Sequence, residues 1–161
     1  LILLYMLRKI NIIFSLLIFS LTSSFAQSRT TAKPNSNFKP TKLYTTLGGF
    51  KDTMFISPKA ADSILAMPLK IIDAKNVIYT LSTYNFLYKQ IVVSEDEATG
   101  KAYNTTSIKS SFFKTTPIPP LWSKIVSERL RAGEEIIFFD VIVKDAKGRY
   151  MYARNLKLIL Q

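Results

Sequence analysis

The stretch Glu135-Ile136-Ile137-Phe138-Phe139-Asp140-Val141-Ile142-Val143-Lys144, followed by Asp145-Ala146-Lys147-Gly148 and then by RYMYARNLKLIL over residues 149–160, decides the fold. A nearly unbroken run of β-branched and aromatic side chains reads as a strand. Asp-Ala-Lys-Gly reads as the turn of a hairpin. On the returning strand Leu156, Leu158 and Leu160 alternate with Asn155, Lys157 and Ile159. Apolar residues on both parities of 135–144 predict burial of both its faces, as between the two sheets of a sandwich.

Working upstream, residues 121–132 predict a helix. Pro120 opens it, and Gly133 ends it. Trp122, Ile125, Val126 and Leu130 fall at helical spacing and are expected to face the core. Loss of the Trp122 ring is then expected to cost about 3 kcal/mol or more. Residues 115–120 (TTPIPP) cannot continue a ladder. Residues 76–94 read as a long strand whose strongest apolar positions change parity near Ser82 to Asn85. This predicts a bulge or a strand that changes sheet. Glu95 to Lys101 is a polar hairpin tip, and residues 102–108 return as a strand. Nearer the N-terminus, strands are expected at 43–46, 50–56 and 69–72, with a turn at Gly48-Gly49. Ser57 as N-cap and Pro58 at the first helical position start a short helix. It would bury Ala60, Ala61, Ile64 and Leu65 and end at Met67-Pro68. Strands outnumber helices, so the expected class is mainly β. It is an antiparallel β-sandwich with one packed helix and one short helix.

Composition narrows the chemistry. The chain has 161 residues, Lys+Arg 22 against Asp+Glu 11, a formal net charge of +11, and no His or Cys. It therefore lacks an imidazole base, a thiolate nucleophile, a Cys/His zinc site and disulfides. No catalytic, cofactor-binding or metal-binding residues are assigned, and a non-enzymatic binding role is the expectation.

The N-terminal stretch reads as an export signal. Residues 1–5 precede Met6 and read as an over-extended start. Arg8 and Lys9 form a positive region, and residues 10–21 an apolar one broken by Asn11, Ser15 and Ser20. Ser24-Phe25-Ala26 then offers small residues for cleavage before Gln27. The alternative, an uncleaved anchor, needs about 20 apolar residues, more than this run supplies. With residues 1–26 removed, no transmembrane anchor is expected. The absence of Cys excludes a lipid-anchored lipoprotein. Residues 27–42 (QSRTTAKPNSNFKPTK) bury too little apolar surface to offset their ordering entropy and read as a disordered linker. The folded domain is then 43–161.

Several blocks resemble a known family. Leu47-Gly48-Gly49-Phe50-Lys51, then Phe55-Ile56-Ser57-Pro58-Lys59-Ala60, then Leu69-Lys70-Ile71-Ile72 resemble the entry to the C-terminal domain of GldM. GldM is the gliding-motility and type IX secretion protein of Bacteroidota. The resemblance continues through residues 77–89, Phe112, residues 121–131 and Ala132-Gly133-Glu134-Glu135-Ile136-Ile137-Phe138-Phe139-Asp140-Val141. It ends at the hairpin Asp145-Ala146-Lys147-Gly148-Arg149 and covers about residues 44–161. It implies an immunoglobulin-like β-sandwich that binds protein partners in the periplasm or beyond. In GldM this end contacts the lipoprotein ring of the secretion machinery. GldM also has a transmembrane helix, a helical region and further β domains. Only a signal and one domain are read here, so its motor function is not carried over. The family offers no catalytic motif.

Sharper motifs each have a plainer reading. Glu95-Asp96-Glu97 could hold Ca²⁺ but lacks a spaced ligand loop, and a solvated tip is preferred. Ser123 and Lys124 are helix neighbours that do not face each other. Asp62-Ser63-Ile64 and Asp52-Thr53-Met54 match a short O-glycosylation pattern that is common by chance. Asn104-Thr105-Thr106 matters only in a eukaryotic pathway. The positive charge is scattered and export leads away from nucleic acid, so no nucleic-acid partner is expected. Tyr79, Tyr84, Tyr88, Tyr150 and Tyr152 suit either cross-strand packing or a partner surface. The expected function is an exported, non-catalytic module that binds a protein partner in the cell envelope. The alternative is a carbohydrate- or lipopolysaccharide-binding module using aromatic and basic residues, and a third reading is a sensor or inhibitor domain.

Overall fold

The structure is a computed structural model that describes residues 41–161, all within one compact unit. The expected signal (1–26) and linker residues 27–40 lie outside the described residues. Thr41 and Lys42 are exposed and irregular. Nine strands and two helices are described: β1 Leu43–Leu47, β2 Phe50–Lys51, β3 Thr53–Ile56, α1 Pro58–Leu65, β4 Lys70–Asp73, β5 Ile78–Glu95, β6 Ala102–Phe113, α2 Pro120–Ser127, β7 Glu135–Lys144, β8 Tyr150–Tyr152 and β9 Leu156–Leu160. The fold is mainly β, as expected. No helix among the described residues is long and apolar enough to cross a membrane.

The strands follow one path, β2-β1-β4-β5-β7-β9-β3, with β6 beside β5 and β8 beside β7. Strand β5 organises it. Its first residues pair with β4 (Ile71 opposite Tyr79), and residues 84–95 pair with β6 on consecutive positions, while β7 runs along the other side. The parity change read at Ser82 to Asn85 is a pair of compensating bulges. The register slips by one between Leu81 and Thr83 and recovers between Thr83 and Asn85, where Asp140 of β7 takes a positive φ of 48°. Each bulge turns its strand over. On β5, Tyr79 and Leu81 pack inward before the slip and Tyr84, Phe86 and Tyr88 after it. On β7 the inward set changes from Ile136 and Phe138 to Val141 and Val143. The core is one cluster in which these side chains meet Leu43, Leu47, Ile71, Leu156, Leu158 and Leu160, closed off by the two helices.

Helix α1 forms as its sequence requires. Ser57 Oγ accepts from Ala60 N–H at 3.2 Å, Pro58 takes the first turn, and Ala61, Ile64 and Leu65 are buried, with Ala60 packed partly against the core. Gly48 packs beneath it at φ +56°, where a Cβ would come within 2.8 Å of Ile64 Cγ2.

Five expectations need correction. The pairing is not wholly antiparallel, because β3 and β9 run parallel, Thr53 opposite Lys157 through Ile56 opposite Leu160. Residues 50–56 are not one strand. Asp52, at φ 59°, breaks them into β2, paired with β1, and β3 at the opposite end of the strand path. Residues 149–160 are interrupted as well. Between β8 and β9, Arg154 N–H turns aside to Leu43 O (2.9 Å). Strand β7 is fully buried on one face only, since Ile137, Phe139 and Ile142 remain half-buried. Helix α2 stops at Ser127 rather than 132. Arg129 N–H bonds Val126 O in a tighter turn, and the Glu134 carboxylate takes the Arg131 N–H.

Trp122 is half-buried and stacks edge-on against Phe86 and Phe113, with centroids 5.8 and 5.9 Å away. Trp122→Ala should therefore cost about 2–3 kcal/mol, below a fully enclosed aromatic. Urea denaturation followed by far-UV circular dichroism measures it.

Candidate partner-binding face

Residues directly opposite in adjacent strands share a face. Ladder registers therefore build the outer surface of β6-β5-β7-β9-β3 row by row. The first row runs Phe112, Asn85, Phe139. The second runs Ser110, Leu87, Ile137, Lys157, Thr53. The third runs Ile108, Lys89, Glu135, Ile159, Phe55. Beyond them β5 and β6 continue as a two-stranded arm carrying Ile91 and Val93 on this face. Phe55, Ile108, Phe112 and Val93 are more than half exposed. The rows mix apolar side chains with polar Asn85, Ser110 and Thr53 and hold one charged spot, where Glu135 lies 3.0 Å from the Lys157 ammonium and 3.9 Å from that of Lys89. A partner covering this spot must desolvate the charges, and their mutual attraction offsets that cost only in part.

On the other side of the β5/β7 bulges lies a second surface of different chemistry. Tyr150 and Tyr152 are 65% and 72% exposed. The Lys144 ammonium sits 5.7 Å from the Tyr150 ring, and Lys51 and Arg154 lie over Tyr44. A cleft of about 410 Å³ lies on this side, lined by Ile78, Lys144, Lys147 and by Arg149, whose guanidinium is paired to Asp145 at 2.7 Å. The aromatics named from the sequence thus divide. Tyr84 and Tyr88 are core residues, Tyr79 is partly buried, and only Tyr150 and Tyr152 stand at the surface.

The remaining motifs resolve locally. Asp96 accepts from the backbone N–H groups of Ala98 and Thr99, which shapes the 95–101 tip and holds its carboxyl below the usual range. Ser63 Oγ donates to Lys59 O at 3.0 Å, an ordinary back-bond on an exposed helix face. Thr53 and Asn104 are exposed strand positions. Ser123 and Lys124 border an open groove of about 700 Å³ with Ile118 and Pro120, and the Lys124 ammonium lies 3.9 Å from Glu128.

Glu134 was not singled out by the sequence. It is completely buried, accepts from the Tyr88 hydroxyl, and takes the backbone N–H groups of Ile91 and Arg131, each at 3.0 Å. Two of these donors lie more than 40 residues away in the chain. No local pattern announces them, and Gly-Glu-Glu before a strand looks like a solvated turn.

Buried and turn-forming groups set the pH response. Burial pushes the Tyr84 phenol far up; burial, followed by the adjacent Glu134 carboxylate, does the same for Tyr88. Their native pKa values exceed the unfolded value near 10. The stability they confer is therefore present below about pH 10 and lost as pH rises through the native values. Absorbance titration at 295 nm should show these two tyrosines ionising only with global unfolding. At the acid end, backbone N–H donors depress Asp73, through Val77 first, and Asp145, through Arg149 first. With Asp96 they confer stability above about pH 4 that declines as pH falls through the native values. Thermal melts between pH 2 and 6 should show that decline.

No family model matches the chain, and no curated protein matches it.

Proposed function

We propose that this chain is an exported, non-catalytic β-sandwich module that binds protein partners in the bacterial cell envelope, in the manner implied by its resemblance to the GldM C-terminal domain, and that it serves gliding motility or type IX secretion. The observation that carries the reading is the open β6-β5-β7-β9-β3 face. Exposed Phe55, Ile108 and Phe112 lie there within one continuous sheet. Several exposed apolar side chains on one sheet face suit a partner-binding surface. Export is supported by the Arg8-Lys9 region, the apolar run and Ser24-Phe25-Ala26. Mass spectrometry of the exported protein should find Gln27 at its N-terminus.

The test is site-specific photo-crosslinking in envelope preparations. A photoreactive side chain at Phe55 or Ile137 should give a discrete protein adduct that Leu87→Lys abolishes, while one at Tyr152 gives none. A second reading has its own support. Tyr150, Tyr152 and the nearby Lys144 and Lys147 ammonium groups suit an anionic glycan. Glycan recovered at Tyr152, with no protein adduct at Phe55, would favour it.

A further inference from the structure

We propose that the outer edge of β6 takes an extended acidic strand from the partner protein, which adds to the sheet beside it. This rests on the protein-binding reading above and names the partner's chemistry. Strand β6 pairs only with β5 among the described residues. Its pairing runs through twelve consecutive positions, Tyr84 opposite Phe113 to Glu95 opposite Ala102, without a register shift. Its sequence, AYNTTSIKSSFF, contains no proline. One full side of this backbone therefore has donors and acceptors without strand partners. Long, regular edges of this sort template pairing with another chain and are normally shortened, bulged, interrupted by proline or guarded by lysine; of these β6 has only lysine, which leaves a strand of opposite charge admissible.

Charge decides which chain is admitted. Residues 101–114 carry Lys101, Lys109 and Lys114 and no acid. None of the three lysines makes an ion pair among the described residues. A second copy adding its own β6 would set lysine-bearing strands side by side with no carboxylate between them, which is unfavourable. The chain's own residues 27–42 have the same defect, being basic, acid-free and interrupted by Pro34 and Pro40. A strand bearing Glu or Asp at alternate positions pairs with the lysines instead. Its apolar residues then continue the rows that end at Ile108 and Phe112.

The probe is a capped twelve-residue peptide alternating Val with Glu and Thr, compared with the same peptide carrying Lys for Glu. Fluorescence anisotropy and amide hydrogen exchange are read on the protein. The Glu peptide should bind and protect amides within 102–113, and the Lys peptide should bind about tenfold more weakly. Lys101→Glu with Lys109→Glu and Lys114→Glu should reverse that preference, with folding checked by circular dichroism. The exposed pair Lys101→Glu and Lys114→Glu should reduce the preference if the triple variant is unstable. Equal affinity for the two peptides, protection confined to other strands, or a dimer whose β6 amides are protected without peptide would each overturn the proposal. Crosslinks at Phe55 that persist in the triple variant would leave the protein-binding reading standing while the acidic edge fails.

Discussion

Glu134→Ala should lower stability by about 3–5 kcal/mol, a large fraction of the about 5–15 kcal/mol typical of a domain. The carboxylate is fully enclosed and accepts three hydrogen bonds, from Tyr88 Oη, Ile91 N–H and Arg131 N–H. Alanine removes every acceptor at once and leaves two amides and a phenol without their partner. Each such group costs about 1–3 kcal/mol. The site is also where three segments meet. Glu134 O accepts from Leu160 N–H at 2.9 Å, so the residue ties β9 to β5 and to the turn after α2. Glu134→Gln keeps the volume and one oxygen and should lose less. Tyr88→Phe, which leaves the carboxylate its two amide donors, should cost about 1.5–3 kcal/mol. Urea denaturation followed by Trp122 fluorescence measures all three, and a Glu134/Tyr88 double-mutant cycle should show coupling of at least about 1 kcal/mol. Additive losses would mean that the hydroxyl does not engage the carboxylate.

Local chemistry was legible where one segment decides its own conformation. Ser57-Pro58 capped α1 at the expected residue, and Asp145-Ala146-Lys147-Gly148 closed the β7–β8 turn, with Asp145 accepting from Lys147 and Arg149. The parity change on β5 marked its bulge. Ile78 shares even numbering with Tyr84, Phe86 and Tyr88, yet it lies on the other side of that bulge and is exposed. Long-range partnerships were hidden. Asp52 looks like any residue within a short strand, yet its left-handed backbone sends the chain to a parallel partnership with β9. The open face was hidden for a related reason. Ile137 and Phe139 read as core because apolar residues on both parities of 135–144 do not say which face is covered. That depends on where the helices and β1 settle.

Two phenylalanines near one another on β5 and β6 turn that distinction into numbers. Phe86 is fully buried, with ring centroids 5.3 Å from Phe138, 5.8 Å from Trp122 and 6.4 Å from Phe113. Phe86→Ala removes the ring at the centre of this cluster, and strands paired on both sides of β5 limit collapse into the space. The expected loss is about 3–5 kcal/mol. Phe112 sits opposite Asn85 on the outer face and is 54% exposed. Phe112→Ala should change stability by no more than about 0.5 kcal/mol. Both variants are measured by chemical denaturation, and Phe112→Ala is then assayed for crosslinking at Phe55. A large stability loss in Phe112→Ala would mean that the outer face is covered and unavailable to a partner. A negligible loss combined with a weakened crosslink separates the two faces by role: one closes the core, and the other keeps its apolar side chains at the surface for a partner to bury.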